Sequence, residues 1–60
     1  MMYHVKIDEK KKQVLICRKD DTIFHIIMDV DVSRIKKSIL KKEYDKKSIL
    51  DLIKKIKKQW

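Results

Sequence analysis

Apolar and polar residues alternate with a period of two near the start of the chain, over residues 2–8. Successive side chains of a strand point to opposite faces, so this alternation predicts a strand that is covered on one face only. The side chains expected toward the core are Tyr3, Val5 and Ile7, and those expected toward solvent are His4, Lys6 and Asp8. The charged residues 9–12 then predict a loop built around a type I turn, because the chain has no glycine or asparagine.

Residues 13–19 and 22–30 are rich in β-branched and apolar side chains, and they predict a second and a third strand. Asp20 and Asp21 separate them and predict a turn, because aspartate tolerates left-handed backbone geometry better than most residues. Strict alternation in the third strand places Phe24, Ile26, Met28 and Val30 on one face and Ile23 and Ile27 on the other. The three segments predict an antiparallel meander, and apolar residues on both faces of its third strand indicate a partner surface.

The hydrophobic period becomes helical at Asp31, where Asp31 or Ser33 can cap a helix through a short side-chain oxygen. The apolar stripe of this first helix is Val32, Ile35 and Ile39. A single helix to the C-terminus would continue the stripe through Lys42 and Lys46, and lysines within an apolar face favour a break. Asp45 is the expected N-cap of a second helix, although the pattern also leaves one continuous helix open.

The second helix, over about residues 46–59, is strongly amphipathic. Its apolar face holds Ile49, Leu52, Ile53, Ile56 and Trp60, with Leu50 at the border. Its polar face holds Lys47, Asp51, Lys54, Lys55 and Lys58. This apolar face is expected to pack on the sheet, since no other segment of the chain can cover the sheet.

The pattern as a whole predicts one α+β domain over residues 1–60. A three-stranded antiparallel β-meander (1–30) is followed by one or two C-terminal helices (31–60) packed on one sheet face. The expected core is Val5, Ile7, Ile16, Phe24, Ile26, Met28, Ile35, Ile39, Ile49, Ile53 and Ile56. A domain of this size buries only about 60% of its unfolded surface, and the single cysteine, Cys17, cannot form an internal disulfide. We therefore expect a homodimer.

Net charge is divided unequally between the two halves of the chain. Residues 1–30 hold six Lys/Arg against five Asp/Glu, a net charge of +1, and residues 31–60 hold eleven against four, a net charge of +7. A lysine-rich amphipathic half joined to a near-neutral half indicates a cationic surface for a polyanionic partner. The first hypothesis is therefore a small nucleic-acid-binding protein that contacts the phosphate backbone and has no catalytic activity.

The candidate phosphate contacts are the basic residues of the predicted helices. They are Arg34, Lys36, Lys37, Lys41, Lys42, Lys46, Lys47, Lys54, Lys55 and Lys58. Only Arg18 and Arg34 could make bidentate contacts to guanine, so backbone binding with low sequence preference is expected. Tyr44 is the aromatic residue within the basic stretch, and we expect it to pack against the end of the first helix rather than to stack on bases. The pattern fits DNA and RNA equally.

A second hypothesis is a compact inhibitor or adaptor, of the kind that small viral genomes encode, which docks on a host protein. Its basic surface would meet an acidic patch on that partner, one that normally receives nucleic acid. An exposed apolar strand face made of Ile23, Ile27 and Leu15 would favour this function, because nucleic-acid surfaces rarely need one.

The order strand, helix, turn, helix over residues 22–60, with the run from Ser48 to Lys54, resembles ribbon-helix-helix DNA-binding proteins. The resemblance implies a strand that pairs across a dimer and enters the major groove, so that Thr22, Phe24 or His25 would approach DNA. The chain departs from that pattern, because its strand has no basic residue, its turn has no glycine and residues 1–21 are additional.

The sequence contains no arrangement of residues typical of a catalytic or metal-binding site. Without glycine there is no phosphate-cradling loop or dinucleotide fingerprint. His4 and His25 have no carboxylate at metal-ligand spacing, and Cys17 lies in an apolar strand, where a thiol behaves as a small hydrophobe. No combination meets the requirements of acid–base or covalent catalysis. We expect no enzyme activity, no metal, no cofactor and no small-molecule substrate.

Membrane insertion and secretion are also not expected. No apolar run approaches the roughly 18 residues that a membrane span needs. The basic amphipathic helix could lie on an anionic membrane only by giving up the apolar face that covers the sheet. The N-terminus lacks a basic segment followed by an apolar stretch, so we expect a cytoplasmic protein, in its own cell or in a host.

Overall fold

A three-stranded antiparallel sheet forms the first half of the structure, a computed structural model that describes residues 1–59. Its strands are β1 (Tyr3–Asp8), β2 (Gln13–Arg18) and β3 (Ile23–Ile27), in the order β1-β2-β3. The second half holds a 3₁₀ turn (Val32–Arg34), a one-turn helix α1 (Lys37–Leu40) and a long helix α2 (Lys46–Gln59). The predicted α+β meander followed by helices is therefore confirmed.

The alternation predicted for the first strand is confirmed by the pairing of β1 with β2. Val5 lies opposite Ile16 and Ile7 lies opposite Val14, and these cross-strand pairs share the face that carries the core. The predicted turn between β2 and β3 is also present, and Asp21 adopts a positive φ of 67° there. The chain has no glycine, so an aspartate takes the left-handed position at this turn.

The predicted faces of Ile26, Ile27 and Met28 are wrong, because a β-bulge interrupts the pairing of β2 with β3. Ile16 lies opposite His25 but Cys17 lies opposite Ile23, so Phe24 is an extra residue on β3. The extra residue shifts the alternation by one position. Ile26 and Met28, which we expected in the core, are 41% and 65% exposed, while the Ile27 side chain is buried.

After β3 the chain turns back toward the sheet at a second left-handed aspartate. Asp29 has a φ of 56°, and the next amide, that of Val30, donates to the carbonyl of Lys12 at 2.9 Å. The Val30 side chain is consequently buried, with 1% of its surface exposed. Val30 is thus buried like the face on which alternation placed it, but the turn at Asp29 rather than the strand puts it there.

Helix α2 packs its isoleucine face on the sheet, as predicted. Ile49, Ile53 and Ile56 are all buried and belong to one cluster with the sheet residues Val14 and Ile16. Full burial of an isoleucine side chain contributes about 1.5–3 kcal/mol to stability. Trp60, which we placed on the same face, lies outside the described residues.

The rest of the expected core is largely confirmed. Besides the two exposed residues of the third strand, every expected core residue is buried or partly buried against the cluster. Buried are Val5, Ile16, Ile35, Ile49, Ile53 and Ile56, and partly buried are Ile7, Phe24 and Ile39. The buried core also contains Tyr3, Val14, Ile27 and Val30.

The first helix is much shorter than its apolar stripe predicts, since α1 has only four residues. The backbone is extended at Ile35 and Lys36, with ψ angles of 126° and 133°. The Ser33 hydroxyl donates to the Asp31 carboxylate at 2.6 Å, and Asp31 makes no capping bond to the backbone, so neither residue caps a helix of normal length. Like charges four residues apart, at Lys37 and Lys41, also disfavour a longer helix.

The break before the second helix is confirmed at Asp45. The Asp45 carboxylate accepts a hydrogen bond from the backbone amide of Ser48 at 2.7 Å, which is the N-cap geometry. The same bond holds the pKa of Asp45 below its ordinary value.

Tyr44 joins the helical half to the edge of β1. Two backbone hydrogen bonds of 2.7 and 2.8 Å pair it with Tyr3, and its hydroxyl donates to the carbonyl of Ile39 at 2.9 Å. The predicted packing of Tyr44 against the end of the first helix is thus confirmed, and burial raises the pKa of its phenol.

The described part of residues 22–60 does not form the ribbon-helix-helix arrangement. β3 pairs with β2 of its own chain, and α1 is too short to be the first helix of that motif. Phe24 packs on Tyr3, with ring centroids 4.9 Å apart, so it does not project toward a groove.

We predict that Ile49→Ala destabilises the protein by about 2–5 kcal/mol, because it removes a fully buried side chain from the contact between α2 and the sheet. Single cores of this size seldom supply more than about 3–5 kcal/mol, so much of this variant should be unfolded. Chemical denaturation followed by circular dichroism measures the loss. The matched control is Leu50→Ala, at a 41% exposed neighbour, which should change stability by no more than about 0.5 kcal/mol.

We predict that Asp45→Ala lowers the unfolding midpoint near neutral pH but not in strong acid. The pKa of Asp45 is lower in the folded than in the unfolded state, so its contribution is complete above the unfolded pKa. It disappears as pH falls through the folded pKa. Thermal unfolding of both proteins across the acid range checks this, and a midpoint difference that persists in strong acid would contradict the cap.

Candidate nucleic-acid interface

The outward face of α2 carries a line of lysines opposite its buried isoleucines. Lys47, Lys54 and Lys58 follow one another at spacings of seven and four residues, which align side chains along a helix. All three are exposed. Their positions follow from the packing of the opposite face, because the helix cannot bury its isoleucines without presenting these lysines to solvent.

One border of this face holds an exposed leucine between two further lysines. Leu50 is 41% exposed, and Lys46 and Lys57 are exposed on the same side of the helix. Lys57 was missing from our candidate residues, although it belongs to a Lys-Lys pair with Lys58. The helical period could have included it, because it falls beside Leu50 at a spacing of seven residues.

The other border of α2 closes a crevice with a basic rim. Arg34, Lys36 and Lys55 line it, and its volume is about 190 Å³. Its apolar lining consists of Ile35, Ile39, Leu52 and Ile56. The fold brings together three candidate residues from the 3₁₀ turn, the residue preceding α1 and the middle of α2. This grouping depends on the extended backbone at Ile35 and Lys36, which the sequence pattern does not reveal.

The remaining candidates lie along α1 and the turn that follows it. Lys37, Lys41 and Lys42 are all exposed. They precede the exposed Lys46 at the start of α2, so the basic residues extend from the 3₁₀ turn to the last turn of α2. We call this whole set, with Lys57 added to the ten candidates, the lysine surface.

The lysine surface is almost free of internal ion pairs. Within residues 1–59, none of its lysine ammonium groups lies within 4.0 Å of a carboxylate. Arg34 alone has such a contact, at 3.6 Å from Asp31. Exposed pairs of this kind contribute little to stability, so the contact leaves the guanidinium available to a ligand.

Several carboxylates of the chain are instead engaged in turns and caps. The Lys6 ammonium, 3.1 Å from Asp21, is the main cause that holds the pKa of Asp21 below its ordinary value. The Thr22 hydroxyl does the same for Asp20, and the Ser33 hydroxyl for Asp31. These local bonds engage Asp20, Asp21 and Asp31 away from the lysines of the lysine surface.

Among residues 1–59, no aromatic side chain presents a free ring face on which a base could stack. Tyr3 is buried and Tyr44 is half-buried. Phe24 packs on Tyr3 and also contacts the Arg18 guanidinium, which is 5.3 Å from its ring centroid. The Thr22 amide and hydroxyl both donate to Asp20, so Thr22 serves the turn.

Cys17, His4 and Asp21 come together on the outer sheet face. Cys17 lies opposite His4 in the β1–β2 pairing, and the His4 Nε2 atom is 2.9 Å from the Asp21 carboxylate. The thiol is 2% exposed, and among the described contacts it has no hydrogen bond to the imidazole. A nucleophile needs a base that accepts its proton and access to substrate, and the buried thiol lacks both this hydrogen bond and this access. The sequence did not indicate the contact between His4 and Asp21.

Two other classes of site are absent from the described part of the chain. No group of three or more His, Cys, Asp or Glu residues among positions 1–59 could hold a metal ion. Over the same positions, every helix is too short or too polar to cross a membrane.

Comparison of the chain with known protein families, with curated proteins and with solved structures gives no match.

Proposed function

We propose that the protein binds nucleic acid through the lysine surface, mainly by contacts to phosphates. The observation that carries the proposal is the row of exposed lysines on α2, opposite the face that packs on the sheet, none of which has a carboxylate of residues 1–59 within 4.0 Å. A chain with a net charge of +8 that concentrates eleven Lys/Arg against four Asp/Glu in residues 31–60 offers a strong local positive potential there.

The start of α2 adds support for an anionic partner. Lys46 and Lys47 occupy its first turn, and that turn contains no acidic residue. The positive end of a helix dipole disfavours cations there, typically by about 0.3–1 kcal/mol each. A surface that served only solubility would gain by placing acidic residues at these positions, whereas a phosphate gains from both the lysines and the dipole.

The crevice beside Lys55 gives the lysine surface a place where one phosphate could contact three basic side chains. In the proposed complex, a phosphate contacts Arg34, Lys36 and Lys55 at the rim, and the apolar lining accommodates part of a sugar or base edge. Arg34 is the one arginine of the surface, so bidentate phosphate contact is expected there. The absence of an arginine row favours backbone binding with low sequence preference, on DNA or RNA.

Docking on another protein is the second candidate function. The apolar strand face that would favour it exists in altered form: Ile23 is exposed, Leu15 is half-buried, and Ile26 rather than Ile27 faces solvent. Such a face supports a protein contact, and the basic surface would then meet an acidic patch. A cytoplasmic location stays a prediction for both functions.

We predict that Lys54→Glu with Lys58→Glu weakens binding to a short random DNA duplex at least tenfold at near-physiological salt. Two positions on the outward line of α2 then repel phosphates instead of contacting them. The matched control is Lys10→Glu with Lys11→Glu, which makes the same change in net charge at exposed residues of the β1–β2 turn. Binding is measured by the fluorescence anisotropy of labelled DNA, and circular dichroism verifies that both variants are folded.

Two results would count against the proposal. Unchanged affinity in the folded Lys54/Lys58 variant would show that α2 does not contact DNA. An equal loss of affinity in the Lys10/Lys11 control would show that binding depends only on net charge and not on the position of the lysines. Affinity capture with the wild-type chain, with and without nuclease treatment, separates the two functions. Protein partners that survive nuclease treatment and disappear in the Lys54/Lys58 variant would favour docking on a protein.

A further inference from the structure

The third strand and the residue after it expose a row of apolar side chains that no described segment covers. Ile23, Ile26 and Met28 are 52%, 41% and 65% exposed, and we call these three residues the β3 strip. β3 is also an edge strand, and within residues 1–59 no backbone hydrogen bond joins its outer edge to another segment. The strip, which runs one residue past the end of β3, therefore lies along the free edge strand.

The two edges of the sheet are protected very differently. β1 is bridged by Tyr44 at Tyr3 and carries the exposed Lys6, and lysine on an edge strand discourages further pairing. β3 carries no lysine, although the chain has 15, and residues 20–33 contain no Lys or Arg at all. In this lysine-rich chain, the edge formed by β3 therefore carries no lysine of its own that would discourage the addition of another strand.

Charge also restricts which partner can approach this edge. Two copies of a chain with a net charge of +8 repel each other over most of their surfaces, and most strongly at the lysine surface. Around β3 the positive charge is lowest, because residues 20–33 hold four aspartates and no Lys or Arg, and the cations nearest to them are paired, Lys6 with Asp21 and Arg34 with Asp31. The Arg18 guanidinium donates to the Ile23 carbonyl at 3.3 Å, which adds a cation beside Asp20. The β3 region is thus where two copies can meet with least repulsion.

We propose that the β3 strip is the interface of a homodimer, in which β3 pairs antiparallel with β3 of a second copy. A two-fold contact is self-complementary, so the apolar strip of one copy meets the same strip of the other. It also closes both free edges at once and yields a continuous six-stranded sheet. The added burial supplies stability that a 60-residue chain can otherwise hardly reach.

The symmetry has a consequence for the lysine surface. A two-fold axis that relates neighbouring antiparallel strands runs perpendicular to the sheet, so both copies of α2 lie on the same side of the dimer. The two lysine surfaces then face one polyanion together, and simultaneous contact raises the apparent affinity. This consequence rests on the proposed function, whereas the dimer itself does not.

Sedimentation equilibrium of the full chain, without nucleic acid, tests the interface. The wild type should show twice the 7.3 kDa chain mass at high concentration and dissociate on dilution. Ile26→Lys should remain a monomer at concentrations where the wild type is dimeric. The matched control is Leu50→Lys, because Leu50 is also 41% exposed but lies on α2, and this variant should dimerise like the wild type.

A wild-type monomer at all concentrations would overturn the proposal and leave the strip to a different protein. Dimerisation lost in Leu50→Lys and retained in Ile26→Lys would place the interface on α2 and equally overturn the proposal.

Amide hydrogen exchange tests the same strand pairing in the wild type, without any substitution. Protection of the β3 amides should rise with protein concentration while that of β1 stays constant, and concentration-independent β3 exchange would exclude the strand pairing.

Discussion

The packing of one isoleucine face on one sheet face determines most of this structure. A chain of 60 residues has room for a single two-layer core, and α2 supplies three of the four buried residues that the helical half contributes to it. Because Ile49, Ile53 and Ile56 must face the sheet, the other side of the same helix must face solvent. The position of the outward lysines is therefore a direct consequence of the hydrophobic core, and stability and the candidate interface depend on one contact.

Helix α2 and its start could be predicted from the sequence because the determinants are local. The 3.6-residue period assigns the buried and exposed faces, and Asp45 caps the helix through an amide only three residues away. The third strand could not be predicted in the same way. Its bulge at Phe24 arises from the pairing with β2, and a strand alone carries no sign that one of its residues will be left unpaired.

The candidate site shows the same division between local and long-range determinants. Exposure of Lys47, Lys54 and Lys58 followed from the helical period, whereas the grouping of Lys55 with Arg34 and Lys36 required the path of the intervening chain. That path depends on the extended backbone around Ile35, which is buried in the core, so the stripe of the first helix was a misleading signal. Tertiary burial outweighed local helical periodicity there.

The central claim is that the unneutralised lysine surface binds a polyanion, and the salt dependence of wild-type binding tests it most directly. Labelled random duplex DNA should be titrated at a series of salt concentrations from low to several-fold above physiological. The account predicts binding near physiological salt and a logarithm of the affinity that falls linearly with the logarithm of salt, by about 0.9 for each phosphate contacted. No binding near physiological salt, or an affinity that salt leaves unchanged, would contradict it.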